Sequence, residues 1–338
     1  MNRSRLRRSV AFLIVLLAAA GPLSTSGAQD LSLTDQVIER TLDNGLTVLM
    51  VVRPQTPLIR CILAYRVGGV NERPGITGIS HFHEHMMFKG SYSMGVNPGM
   101  LERDQEIMAQ IDEVMAQIVE EESKVKGRDE QKIIEWNAQV SELINQQREE
   151  TMLSEELWGA YQEAGGTGIN ASTGSEMTQY YVTLPKNKIE LYLALEADRM
   201  VNPVFREFYS ERDVITEERR MSENRPGFFF NEQLNATFYG AHPYSSGVIG
   251  WMSDVSRITR DEMKEYRDLY YRPDNATLVM AGDIDVDAVM ALVEQYFGDI
   301  PSRGKSPRVR TREPSPEYYR ETVGPDFDAP YIEKRVYG

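Results

Sequence analysis

Three of the four histidines of this chain fall within five residues, in the run His81-Phe82-His83-Glu84-His85. On a helix, His81 and His85 are one turn apart and share a face. Two imidazoles so placed can grip one Zn²⁺ ion. Glu84 lies beside both, and a carboxylate there can take a proton from a water that the metal activates. His83 falls about 200° around the helix from His81, so it reads as a structural or cleft-lining histidine rather than a ligand. The pattern is H-x-x-E-H, the reverse of the H-E-x-x-H zinc motif.

A metal needs at least a third protein ligand. The acids of Glu211-Arg-Asp-Val-Ile-Thr-Glu-Glu218 are the candidates. Glu211 and Glu218 are two helical turns apart on one face. Glu217 is the rival, turned about 100° away from Glu218. Without the histidines, these acids would read as a solvated helix paired with Arg212 and Arg219.

The surrounding residues sharpen this. Gly69 to Gly90, GVNERPGITGISHFHEHMMFKG, resembles the first signature of the M16 peptidases, the pitrilysin, insulinase and mitochondrial processing peptidase family. Further segments follow in that family's order: Asn170-Ala-Ser-Thr173 with Tyr180-Tyr181, Glu196 to Met200 with Asn202-Pro203, Glu211 to Glu218, His242-Pro-Tyr, Val248-Ile-Gly250, Tyr270-Tyr-Arg-Pro273 and Ala281-Gly-Asp283. The resemblance covers roughly residues 33–305. It implies an α+β fold of the mitochondrial processing peptidase type, a mixed sheet packed by helices. It also implies a zinc endopeptidase acting on peptides or unfolded polypeptides. By resemblance, His81, His85 and Glu218 hold Zn²⁺, Glu84 and Glu211 are the catalytic acids, and Asn170 and Ala171 lie on an edge strand that holds a peptide by strand addition. The alternative is a non-catalytic or partner-dependent assembly subunit of an M16-like complex.

The elements that must position these groups can be read coarsely. Residues 40–67 predict two strands, Leu46 to Val52 after the Asn44-Gly45 turn signal and Ile59 to Val67, and Ile76 to Lys89 predicts a helix ending at Gly90. Ile169 to Leu184 predicts a hairpin. Asn187 to Met200, Phe205 to Asn224, Arg260 to Tyr271 and Val286 to Tyr296 predict helices, and Ala276 to Ala281 a buried strand. Residues 100–158 depart from the family pattern. Ile107, Ile111, Val114 and Ile118 recur at coiled-coil spacing, Gly127 breaks the run, and Ile133, Val140 and Leu143 resume it. The expectation is an inserted antiparallel helical hairpin, which separates the ligands in sequence without moving them in space.

Composition bounds the rest. Hydrophobic residues are 41% and charged residues 26%, enough for a sizeable core. A net charge of −14 argues against nucleic acid as a partner. Cys61 is the sole cysteine, which excludes an internal disulfide or a cysteine metal site. Arg3, Arg5, Arg7 and Arg8 precede an apolar run from Val10 to Ala20 and the small residues Ser26-Gly27-Ala28. This is the layout of a signal peptide over residues 1–28, and implies export to the cell envelope, periplasmic or secreted. Its eleven apolar residues are too few for a comfortable membrane span, the competing reading. Residues 306–338 are expected to be a linker and the start of a second M16-like domain. In this family such a domain, or a separate subunit, completes the substrate chamber.

Overall fold

The structure is a computed structural model and describes residues 36–302 and 304–314. The expected signal peptide and most of the expected linker and second-domain start lie outside the described residues.

From Ile38 onward, six strands form one sheet: β1 Ile38–Thr41, β2 Thr47–Val52, β3 Leu58–Tyr65, β4 Thr167–Thr173, β5 Thr178–Pro185 and β6 Ala276–Gly282. Their order is β1-β2-β6-β3-β5-β4. β6 comes last in sequence yet lies between β2, which it pairs in parallel, and β3, which it pairs antiparallel. The sheet is therefore mixed, as expected. Ten helices accompany it among the described residues: α1 Ile79–Met86, α2 Leu101–Glu122, α3 Glu130–Glu150, α4 Glu156–Glu163, α5 Ile189–Val201, α6 Phe208–Glu223, α7 Phe228–Phe238, α8 Met252–Val255, α9 Arg260–Tyr270 and α10 Val286–Phe297.

One sheet face is buried along the central strands β3, β5 and β6. Ile59, Cys61, Leu63 and Tyr65 alternate along β3 with half-buried residues, and Tyr180, Val182 and Leu184 do the same on β5. This period-2 pattern packs against Phe82 and Met86 of α1, Tyr192 and Leu193 of α5, and Val293 and Phe297 of α10 in a single core. Burial pushes the Cys61 thiol far above its ordinary value and makes it inert. The two strands expected within 40–67 are β2 and β3, and β1 precedes them as a third. β1 is four residues long and mostly exposed, so it carries no alternation to read. Asn44, in the turn after it, donates its side-chain amide to Phe297 O at 2.7 Å and Ile300 O at 3.0 Å, which ties the hairpin to the end of α10.

The helical hairpin is α2 and α3. Ile107, Ile111, Val114 and Ile118 meet Ile133, Val140 and Leu143 in a small core of their own. Gly127 sits in the turn at φ +73°. Asp129 caps α3, accepting from the amides of Gln131 and Lys132 at 3.1 and 3.2 Å. Two details differ from expectation. The hairpin helices end at Glu150, and α4, within and beyond the end of the expected 100–158 arm, packs Leu157 and Tyr161 into the main core. The root is also anchored by charge: Arg206 Nε meets Asp104 Oδ2 at 2.7 Å, with both side chains almost fully buried. Among the described residues no helix is long and apolar enough to cross a membrane.

Candidate metal centre

The site begins with how α1 is held. Gly78, at φ +90°, precedes it, and a Cβ there would lie 2.6 Å from Ile249 O. Only glycine fits so close an approach. The amides of Gly78 and Ser80 donate to the Glu72 carboxylate at 2.7 and 2.9 Å, capping the helix start. Burial, opposed by these hydrogen bonds but helped by Asp254, pushes Glu72 up to about 7. Between its ordinary 4.5 and about 7 the unfolded chain releases this proton while the folded chain keeps it. Stability is therefore expected to fall across that window as pH rises, by on the order of 3 kcal/mol. Urea midpoints at acidic and alkaline pH should separate more for the wild type than for Glu72→Gln. Equal separation would refute the buried proton.

On its inner side α1 is pinned by Phe82, whose ring lies 4.6 Å from that of Phe208 on α6. His83 is fully buried, stacked 3.7 Å from Tyr271 and edge-on to Phe205. Burial holds it neutral. It is a core residue, in line with its sequence position.

The outer side carries His81 and His85, with ring centres 4.7 Å apart. Glu218, on α6, brings Oε2 to 3.8 Å from His81 Nε2 and 3.9 Å from His85 Nε2. The three ligand atoms all lie within 4.8 Å of one another. Two bonds of about 2.1 Å to one ion span at most about 4.2 Å, so both contacts to Glu218 are already within reach of a shared ion. Two imidazoles and a carboxylate are also the donor set of many catalytic zinc sites. The residues present fit the metal. Burial, together with the neighbouring His85, lowers His81 to about 4 and keeps its ring neutral, as a ligand must be.

Glu211 stands behind His85. Its Oε1 meets His85 Nδ1 at 2.9 Å, and its Oε2 meets Lys89 Nζ at 2.6 Å. Burial alone would raise Glu211, but the His85 and Lys89 bonds outweigh it and hold the carboxyl below its ordinary value. Burial likewise pulls His85 down, and the bond and charge of Glu211 reverse the sign. Glu217 is turned to solvent and pairs with Arg220. Arg219 does not pair with Glu218; it is buried on Glu232 and Glu223.

Glu84 is nearly buried, and its Oε2 accepts the Thr173 hydroxyl. Burial raises its pKa, and the bond to Thr173 opposes that rise. Thr173 ends β4, the edge strand of the sheet. Asn170 is exposed on that strand and Ala171 is buried beneath it, opposite Tyr181 and Tyr180 of β5. Sequence reasoning placed the strand but gave Thr173 and Lys89 no part. Neither residue type signals a role without the fold that brings it to Glu84 or Glu211.

The model of the insulinase family, peptidase family M16, matches residues 47–97 and 151–250, and that of the peptidase M16 inactive domain matches 257–333. The chain belongs to the M16 peptidases. Each candidate site residue falls within the insulinase segments, and the unmatched stretch between them contains α2 and α3. A zinc protease, PqqE, of Helicobacter pylori is 28% identical over 262 residues, 76% of this chain and 46% of that protein. An uncharacterized zinc protease, YmxG, of Bacillus subtilis is 24% identical over 285 residues, 84% of this chain and 54% of that protein. The first half of the periplasmic protease PqqL from Escherichia coli shares the fold at a TM-score of 0.59 and 20% identity, over 83% of this chain and 49% of that one. The chain spans about half the length of the curated relatives it matches.

Proposed function

We propose that this chain carries the zinc-binding half of an endopeptidase that hydrolyses peptides or unfolded polypeptides in the cell envelope. The carrying observation is the convergence of His81, His85 and Glu218 to within 4.8 Å, with Glu84 on the same helix as the two histidines. A zinc ion held by those three would supply Lewis acidity, polarising the scissile carbonyl and easing loss of a proton from water. Glu84 takes that proton as the water attacks and returns it to the leaving amine. Thr173 orients the Glu84 carboxylate through its hydroxyl. Glu211 holds His85 Nδ1, which leaves Nε2 directed at Glu218 and the metal position. β4 is an edge strand of the sheet, the position from which an extended peptide can be held by strand addition, which supports roles for Asn170 and Ala171 in substrate binding. The names of the relatives support the activity, and the periplasmic neighbour supports export. The share of the relatives covered, and the match of 257–333 to an inactive-type domain, support a need for a second M16-like domain or subunit.

Zinc content is the first test. The wild type is expected to bind one equivalent, and Glu218→Gln to bind at least tenfold more weakly, since a neutral amide is a poor third ligand. A wild type without stoichiometric zinc would sink the assignment. Cleavage of a quenched peptide by this chain, alone and with a candidate second half, then separates an independent enzyme from a partner-dependent one.

A further inference from the structure

The metal reading gives Glu211 a partner in His85 but leaves Lys89 unexplained. Lys89 follows α1 by three residues, and its side chain is 25% exposed. Its ammonium lies 2.6 Å from Glu211 Oε2 and 3.5 Å from Glu207 Oε2. Glu211 is itself only 12% exposed, and its other oxygen is the one that meets His85. One carboxylate is thus held at both ends, by an ammonium and an imidazole.

The geometry points to Lys89 as a positioning residue for the metal site: it fixes the Glu211 carboxylate, and through it the ring of His85. This inference rests on the reading of His85 as a ligand. The physical argument starts from the last torsion of a glutamate, which is broad and weakly restrained. A carboxylate with one partner can swing about that torsion. A second, charge-assisted bond to the opposite oxygen removes the freedom. A ligating histidine needs that restraint, because the bond at one ring nitrogen fixes the tautomer and aim of the other.

The backbone points the same way. Glu207 precedes α6 at φ +56°, a left-handed conformation that a non-glycine residue adopts only where its surroundings hold it. Its two oxygens are divided, one toward Lys89 and one 3.5 Å from Arg148 of α3. So Lys89 sits between the end of the metal helix and the start of the helix bearing Glu218. The outer link is weak by comparison: Arg148 is 50% exposed, and a pair of that kind contributes little. The restraint is therefore assigned to Lys89 and not to the hairpin.

The test uses the whole chain and zinc, titrated against a fluorescent chelator at fixed pH and salt. Lys89→Met is expected to weaken zinc binding by about tenfold or more, the usual cost of removing a partner behind a ligand. Lys89→Arg, which keeps a cation within reach of Oε2, is expected to recover most of that loss. Arg148→Met should change it by less than about fivefold. Thermal unfolding checks that each variant is folded, and Lys89→Gln replaces the Met variant if that one is not. The metal-free chain gives a second readout through ¹⁵N imidazole spectra of His85. At alkaline pH, where the ring is neutral, the wild type should show a single tautomer with the proton on Nδ1, and Lys89→Met a mixture. Unchanged affinity together with an unchanged His85 spectrum in Lys89→Met overturns the proposal, as does an Arg variant that folds but restores neither. If the wild type binds no zinc, the ligand assignment fails, and the metal-free spectra still decide the role of Lys89.

Discussion

Glu84→Gln is expected to lower kcat for peptide hydrolysis by about 10² to 10⁴-fold while zinc content stays at the wild-type value. The substitution removes little else. Glutamine has the same shape, and its carbonyl oxygen can still accept the Thr173 hydroxyl that Glu84 Oε2 accepts now. The amide cannot accept a proton, so the water loses its base. Because Glu84 is nearly buried, a neutral side chain there also avoids the desolvation that the carboxylate bears, and no loss of fold is expected. The assay is steady-state cleavage of a quenched peptide, run with whichever second half confers activity, beside metal analysis of the same preparation. A Glu84→Gln protein that cleaves as fast as the wild type would remove Glu84 from the mechanism. A variant that loses zinc as well as activity would make Glu84 part of the metal's own support.

The parts of this site that were legible in the sequence are those whose geometry is local. His81, Glu84 and His85 lie within one turn and a half of helix, so spacing alone gives their relation. Glu218 stands out as a candidate ligand only through the family resemblance, and the fold brings it within 4 Å of both histidines. Thr173 and Lys89 were not legible as partners. Thr173 reaches Glu84 from the edge strand, and Lys89 reaches Glu211 from the turn after α1. A similar limit applied to the fold. The helix α7 opens with Phe228-Phe229-Phe230, which has no helical period, so the sequence pattern predicts no helix there. The hairpin was legible because Ile107 through Ile118 and Ile133 through Leu143 repeat at coiled-coil spacing. Its root was not, since Asp104 and Arg206 look like surface charges in sequence and turn out to be buried against each other.

That root carries the largest stability effect expected outside the metal centre. Asp104 is fully buried and uses both oxygens: Oδ2 takes Arg206 Nε at 2.7 Å, and Oδ1 takes Gln147 Nε2 at 2.9 Å and Thr151 Oγ1 at 3.0 Å. Arg206 also donates to the carbonyls of Ser91 and Met94, in the segment that follows the metal helix. Asp104→Ala leaves the guanidinium buried without a counter-charge and strips the Gln147 side-chain amide of its acceptor, while the Thr151 hydroxyl keeps Gln147 O at 2.8 Å. The expected loss is about 3–5 kcal/mol, the range for removing one partner of a buried pair. An exposed pair on the same hairpin, Arg103 with Glu150, sets the contrast, since its removal should cost about 0–1 kcal/mol. Urea unfolding of the two variants in the same metal state checks the difference. A double variant, Asp104→Leu with Arg206→Met, removes both charges and should recover much of what Asp104→Ala alone loses, because the dominant cost is the unpaired cation and not the missing bond. If Asp104→Ala costs less than about 1 kcal/mol, water reaches the root, and the hairpin is held to the domain by its apolar seam and by the contacts of Asp112 with Tyr209 and Arg260 instead.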